Sequence, residues 1–183
     1  MRPAGSRLAT RVARHTAYLA IVVCALAGSP LRAQHHHAHV HGVAELQLLQ
    51  DGEMLSIELR SPALNILGFE HPVEHADYLQ AAEQARAKLS DSGSLFRLEG
   101  GACQLATVSI DIAGSSNDSA HQHHNDVVAS YVYQCKRAET LQSLSTSIQH
   151  VFPSIHSLNA QWVLNHRQGA ANINHNQQHI VFK

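Results

Sequence analysis

Short apolar runs separated by polar turns set the first expectations. Val43 to Gln50 (VAELQLLQ) and Met54 to Arg60 (MLSIELR) lie on either side of Asp51-Gly52-Glu53. An Asp-Gly pair between two such runs predicts a β-hairpin, because tight hairpin turns need positive φ. Ser61 to Pro72 (SPALNILGFEHP) holds two prolines and a glycine around an apolar group and reads as an ordered loop, with Pro72 placed to start a helix. Val73 to Leu89 is dense in Ala, Leu, Gln and Glu, with acidic residues early and Arg86 and Lys88 late. That composition and charge order predict an α-helix, ended by Ser90-Asp91-Ser92-Gly93.

Cys103 to Ile112 and Val127 to Cys135 are β-rich runs. An antiparallel register with Cys103 opposite Cys135 sets Leu105 against Tyr133, Thr107 against Tyr131 and Ser109 against Ala129. In Ala138 to Phe152, Leu141, Leu144, Ile148 and Phe152 recur at three- and four-residue steps before Pro153, which predicts a second amphipathic helix. Ser157 to His166, Ala170 to Ile173 and His179 to Phe182 read as closing strands. The expected class is α+β: an antiparallel β-sheet with two α-helices, one cross-strand disulfide and a His-rich loop.

At 183 residues, 44% of them apolar, the chain can bury one core of its own. Histidine changes the picture: there are 16, against 13 Lys+Arg and 14 Asp+Glu. The net charge of -1 hides a split, since Arg2, Arg7, Arg11, Arg14 and Arg32 fall in the first 33 residues, where no acidic residue does. The rest of the chain is acidic and lacks a Lys/Arg cluster, which argues against nucleic acid or an anionic membrane as partner and suits cations.

The basic start, the apolar run Thr16 to Ala27 and the break at Gly28-Ser29-Pro30 have the anatomy of a cleaved secretory signal ending at Ala33. Twelve apolar residues fall short of the roughly 20 that a permanent membrane helix needs. The expected organisation is therefore a signal peptide at 1–33, a His-rich N-terminus at 34–42, and one domain at 43–183 with a His-rich loop at 113–126. The expected address is the periplasm, without stable membrane insertion after cleavage. Cys24 leaves with the signal, and in an exported chain Cys103 and Cys135 read as a disulfide, with two buried free thiols as the alternative.

The mature chain opens with His35, His36, His37, His39 and His41, five imidazoles in seven residues. Neutral imidazole is a ligand for zinc, copper and nickel, and closely spaced histidines can close around one ion without a prebuilt cage. His121, His123 and His124, bracketed by Asp118 and Asp126, repeat the theme independently. Neither cluster contains cysteine, which argues against a closed structural zinc finger. If imidazoles are the ligands, affinity falls as pH drops through about 6.5, where protons take the same nitrogens.

Other readings stay open beside zinc. A free amine at Gln34, two backbone amides and His36 form a square-planar set suited to Cu(II) or Ni(II). His71-Pro72-Val73-Glu74-His75 matches the H-x-x-E-H pattern of some zinc proteases, which would make the chain a small hydrolase. Against that stand Pro72 inside the ligand turn and the lack of an evident third ligand, so the expectation is a non-enzymatic protein. His71 and His75 then serve as a helix start or a secondary ion site. His150, His156, His166, His175 and His179 are scattered, and each alone reads as an ordinary surface or core histidine.

The order of motifs resembles a known family: His-Gly-x-Ala at His41 to Ala44, Asn65-Ile66-Leu67-Gly68-Phe69-Glu70-His71, then Cys103, Tyr133-Gln-Cys135, Phe152-Pro153 and Gln168-Gly-Ala170. Together, over residues 39 to 183, they resemble the ZrgA-like exported zinc-uptake proteins. The resemblance implies a periplasmic Zn(II)-binding protein, with a His/Asp-rich loop inserted in a compact α+β body. It also implies work alongside an inner-membrane ATP-driven zinc importer. The insert matches Asp118 to Asp126 in position and character but is short here.

Overall fold

The computed structural model describes residues 40–69, 76–112 and 126–182, all within one compact unit, Ala38–Lys183. The chain enters β1 (Val43–Asp51) and turns at Gly52 and Glu53 into β2 (Met54–Pro62), with Asp51 paired to Met54. Gly52 takes φ +57, the positive value that the Asp-Gly pair foretold. On β1, Ala44, Leu46 and Leu48 are buried, and on β2 Leu55, Ile57 and Leu59 are; the residues between them face outward. This period-two burial makes one face of the hairpin a wall of the core.

A one-turn helix α1 (Ala63–Leu67) comes next, ended by Gly68 at φ +83, whose N–H reaches the Leu64 carbonyl at 3.0 Å. The stretch expected as loop therefore carries a helical turn, closed by a left-handed glycine. The main helix α2 (Ala76–Ser90) buries Tyr78, Ala82, Ala85 and Leu89, and a four-residue helix α3 (Ser92–Leu95) is capped by Asp91. Pro72 and the expected first turn of α2 lie outside the described residues.

β3 (Phe96–Glu99) leads into β4 (Gly101–Ile112), which pairs antiparallel with β5 (Asp126–Arg137). The Cys103–Cys135 disulfide joins directly opposed residues of these strands. Leu105 faces Tyr133 as expected, but the register shifts between Leu105 and Thr107. One extra residue in β4 moves Thr107 to Val132 and Ser109 to Ser130 and sets Val108, not Thr107, against Tyr131.

The second expected helix does not form. Ala138–Thr140 is a 3-10 turn, Ser143–Thr146 is strand β6, and only Ile148–Val151 is helical, as the one-turn α4. Leu141, Leu144, Ile148 and Phe152 are all buried, so the apolar spacing is real. β6 instead pairs antiparallel with β3 and with β9 (His179–Val181), and long-range ladder bonds override the local period. β7 (Ser157–Leu164) and β8 (Arg167–Ile173) complete the element order.

The fold class is corrected accordingly: the described residues are mostly strand, with four short or medium α-helices in place of two. A six-stranded sheet runs β4-β5-β2-β1-β7-β8 and a three-stranded sheet runs β3-β6-β9. The larger sheet is mixed, since β1 and β7 are parallel. One buried cluster joins the inner face of this sheet to α2, β6 and β9. Tyr131 meets Phe96 edge-on at 5.1 Å and donates its hydroxyl to the Leu89 carbonyl at 2.8 Å, tying sheet to helix. Trp162 lies against Gly169, its register partner, so closely that no Cβ fits there.

Candidate metal-handling end of the sheet

The strand registers fix what lies at each end of the large sheet. β1 begins beside the end of β2, because Glu45 pairs with Arg60. Pro62 pairs with Asp126, the first residue of β5, and Val127 with Ile112, the last residue of β4. Val43 pairs in parallel with Ser157, and Leu158 with Ile173. One end of the sheet thus gathers His41 and Gly42, the β2–α1 junction, and the two roots of the 113–125 connection. His156 lies there too, as does His175 in the turn after β8.

A buried amide organises this end. Asn65, only 4% exposed, accepts the Gly42 N–H at 2.9 Å and donates to the Val43 carbonyl at 3.0 Å and to Ser61 Oγ at 3.2 Å. All its bonds are local to the sheet end, so the Asn65-Ile66-Leu67-Gly68-Phe69 motif is in this part a structural clamp. The Gly42 carbonyl accepts from His156 N–H at 2.8 Å and Ser157 N–H at 3.0 Å, which starts the parallel β1–β7 ladder.

Of the residues nominated from sequence, His41 and Asp126 lie among those described. His35, His36, His37, His39, His71, His75, Asp118, His121, His123 and His124 lie outside them. His41 is exposed in the turn before β1. The Asp126 side chain is 9% exposed, with Oδ2 3.9 Å from Arg60 Nη1. Arg60 also donates from Nη2 to Glu58 Oε1 at 3.1 Å, so a guanidinium already attends the carboxylate expected as an auxiliary ligand. Among the described residues, no three His, Cys, Asp or Glu side chains are gathered closely enough to hold a metal ion.

Sequence reasoning missed Arg60 and His156 at this end. Nothing local marks them, since Arg60 meets Asp126 only through β2–β5 pairing and His156 meets Gly42 only through the parallel β1–β7 pair. Of the other scattered histidines, His175 shares this end, while His166 lies in the β7–β8 turn at the far end, His150 in the last turn of α4, and His179 in β9, with Nδ1 3.0 Å from Ser145 Oγ. Burial pushes the Tyr131 hydroxyl far above its ordinary range, with Tyr133 adding to it, and also raises Tyr78 and Tyr133. These tyrosines belong to the core, not to the sheet end.

Among the described residues no helix is long and apolar enough to cross a membrane. Residues 38–182 match the family described as ZrgA family zinc uptake protein. No curated protein matches the chain.

Proposed function

This chain belongs to the ZrgA family of zinc uptake proteins, and from that premise we propose that it is an exported, periplasmic protein that captures or buffers Zn(II) for uptake. It carries out no catalysis and hands its cargo to an inner-membrane ATP-driven importer. The ligands in this reading are His35, His36, His37, His39 and His41 at the start of the mature chain, and His121, His123 and His124 in the loop. Asp118 and Asp126 are auxiliary, and His71 and His75 a secondary site.

The observation that supports this reading best is the shared sheet end. The chain enters β1 there through His41, and the 113–125 connection leaves from Ile112 and returns at Asp126 beside Pro62. Two histidine-bearing stretches far apart in sequence are thereby rooted at the same end of one sheet, on β1 and on the β4–β5 pair with β2 between them, and in this reading imidazoles from both share ions. Borderline nitrogen donors suit Zn(II), and sites built without a closed cage release their ion readily.

Metal analysis of the protein isolated from periplasmic extract, without added metal, tests the choice of ion. Zinc as the principal metal is the expected result. Copper or nickel in its place would overturn the reading, since intrinsic affinity at nitrogen sites favours copper and only biological loading reveals the cargo.

A further inference from the structure

The large sheet has two outer edges, and they differ in how far they are closed to another strand. At β4 the register shifts after Leu105, Asp111 is exposed, and Arg86 of α2 donates from Nη1 to the Ile110 carbonyl at 2.9 Å. A bulge, a charge and a covered carbonyl are devices that keep an edge from pairing further. β8, at the opposite edge, has none of them. Its register with β7 runs without a shift from Arg167 to Ile173. Arg167 is its one charged residue, and that guanidinium is turned to the Phe182 carbonyl at 2.9 Å. Gln168 through Asn172 bring only amides, glycine and alanine.

The turn before β8 fixes which of its main-chain groups are open. Asn165 and His166, at φ +49 and +62, form a two-residue turn of the I′ kind, which makes Leu164 and Arg167 a hydrogen-bonded pair. Such pairs alternate along an antiparallel ladder, so Arg167, Gly169, Ala171 and Ile173 bond to β7. Gln168, Ala170 and Asn172 turn N–H and C=O away from the sheet, and no main-chain partner meets them among the described residues. All three are exposed.

We propose that β8 pairs antiparallel with β8 of a second copy, about a two-fold axis at Ala170, so that the two molecules share one continuous sheet. A strand added at an open edge is held chiefly by main-chain hydrogen bonds. The open positions complement themselves: with Ala170 opposite its own copy, Gln168 of each chain faces Asn172 of the other. Asn172 donates to Ser157 Oγ and Asn159 Oδ1, which leaves its own Oδ1 to accept from Gln168 across the axis. No like charges meet along this line, and Gly169, Ala170 and Ala171 let the main chains approach to the ladder spacing of about 4.8 Å. The pairing does not depend on zinc.

Sedimentation equilibrium on the chain beginning at Gln34 tests it, with chelator present so that histidines cannot bridge copies through metal. A reversible equilibrium between monomer and dimer is expected. Ala170→Lys sets like charges directly opposite, and Ala170→Pro removes an N–H that the sheet itself does not use. Each should raise the dimer dissociation constant at least about tenfold, while Ser109→Lys on β4 should leave it unchanged. Thermal melting checks that the variants are folded. Ala170→Cys, opposed to its own copy, should give a covalent dimer on mild oxidation, and Ser109→Cys should not. A chain that is monomeric at every concentration reached overturns the pairing and leaves the edge to a strand of another protein. A dimer that Ala170→Lys leaves intact and Ala170→Cys does not cross-link overturns it as well.

Discussion

At one end of the six-stranded sheet the strands are joined by two-residue turns and a disulfide, while at the other they run out into histidine-bearing stretches. Gly52 and Glu53 close the β1–β2 hairpin at the first end, and Asn165 and His166, at φ +49 and +62, close β7–β8. Gln50 bridges the two turns, donating to the Gly52 carbonyl and to Asn165 Oδ1 at 2.8 Å, and Asn165 donates to the Ala138 carbonyl. At the second end two buried amides, Asn65 and Gln149, do the cross-tying, and the connection from Ile112 to Asp126 is long for a hairpin. In the proposed function, ion handling falls to the histidine-bearing end, opposite the end that the disulfide and the two tight turns close.

The largest effect is expected from opening the disulfide end. Replacing Cys103 and Cys135 together by serine should lower stability by about 3–4 kcal/mol, as expected for an unfolded chain freed of this cross-link. Zinc stoichiometry measured on the folded variant should be unchanged. A change in zinc stoichiometry would show that the ends are coupled.

Loosening the other end comes second. Asn65→Ala removes the acceptor for Gly42 N–H and the donor to Val43, and buried bonds of this kind cost about 1–3 kcal/mol when a partner is left unsatisfied. Denaturant unfolding should show that loss. If His41 is a ligand as proposed, the same variant should also weaken zinc binding there, whereas the cysteine variant should not.

The smallest effect belongs to the core between the ends. Tyr131→Phe deletes the bond to the Leu89 carbonyl and should cost about 1 kcal/mol near neutral pH. The sign of its pH dependence comes from burial. The folded-state hydroxyl titrates well above its ordinary value of 10, so Tyr131 stabilises fully below pH 10 and that contribution is lost as pH rises from there toward the folded value. Stability curves of the wild type and Tyr131→Phe should therefore converge above pH 10. Parallel curves across that range would contradict the assignment.

Local signals were legible where local chemistry decides the conformation. The Asp51-Gly52 turn, the alternation in β1 and β2, the Cys103–Cys135 pair and the helix ending at Ser90 could be read because turn, period and composition act within a few residues. The 138–152 stretch misled because Leu141, Leu144, Ile148 and Phe152 keep a helical spacing although β6 is held by β3 and β9. The shift after Leu105 has no signature in the sequence of β4, and the parallel pairing of β1 with β7 joins segments more than a hundred residues apart. That pairing is what brings His156 to Gly42. The histidine clusters were visible as composition, but the strand ends on which they are rooted became visible only with the sheet order.

Whether zinc handling resides at the histidine-bearing end while the fold is held from the other is decided by one paired measurement. Calorimetric zinc titration and thermal melting are recorded on the chain beginning at Gln34 and on a variant with all of His35, His36, His37, His39, His41, His121, His123 and His124 replaced by serine. The variant should lose nearly all zinc binding and keep a metal-free melting temperature within about 4 °C of wild type, the shift that roughly 1 kcal/mol produces in a domain of this size. Zinc binding retained at wild-type stoichiometry would contradict this division of the sheet.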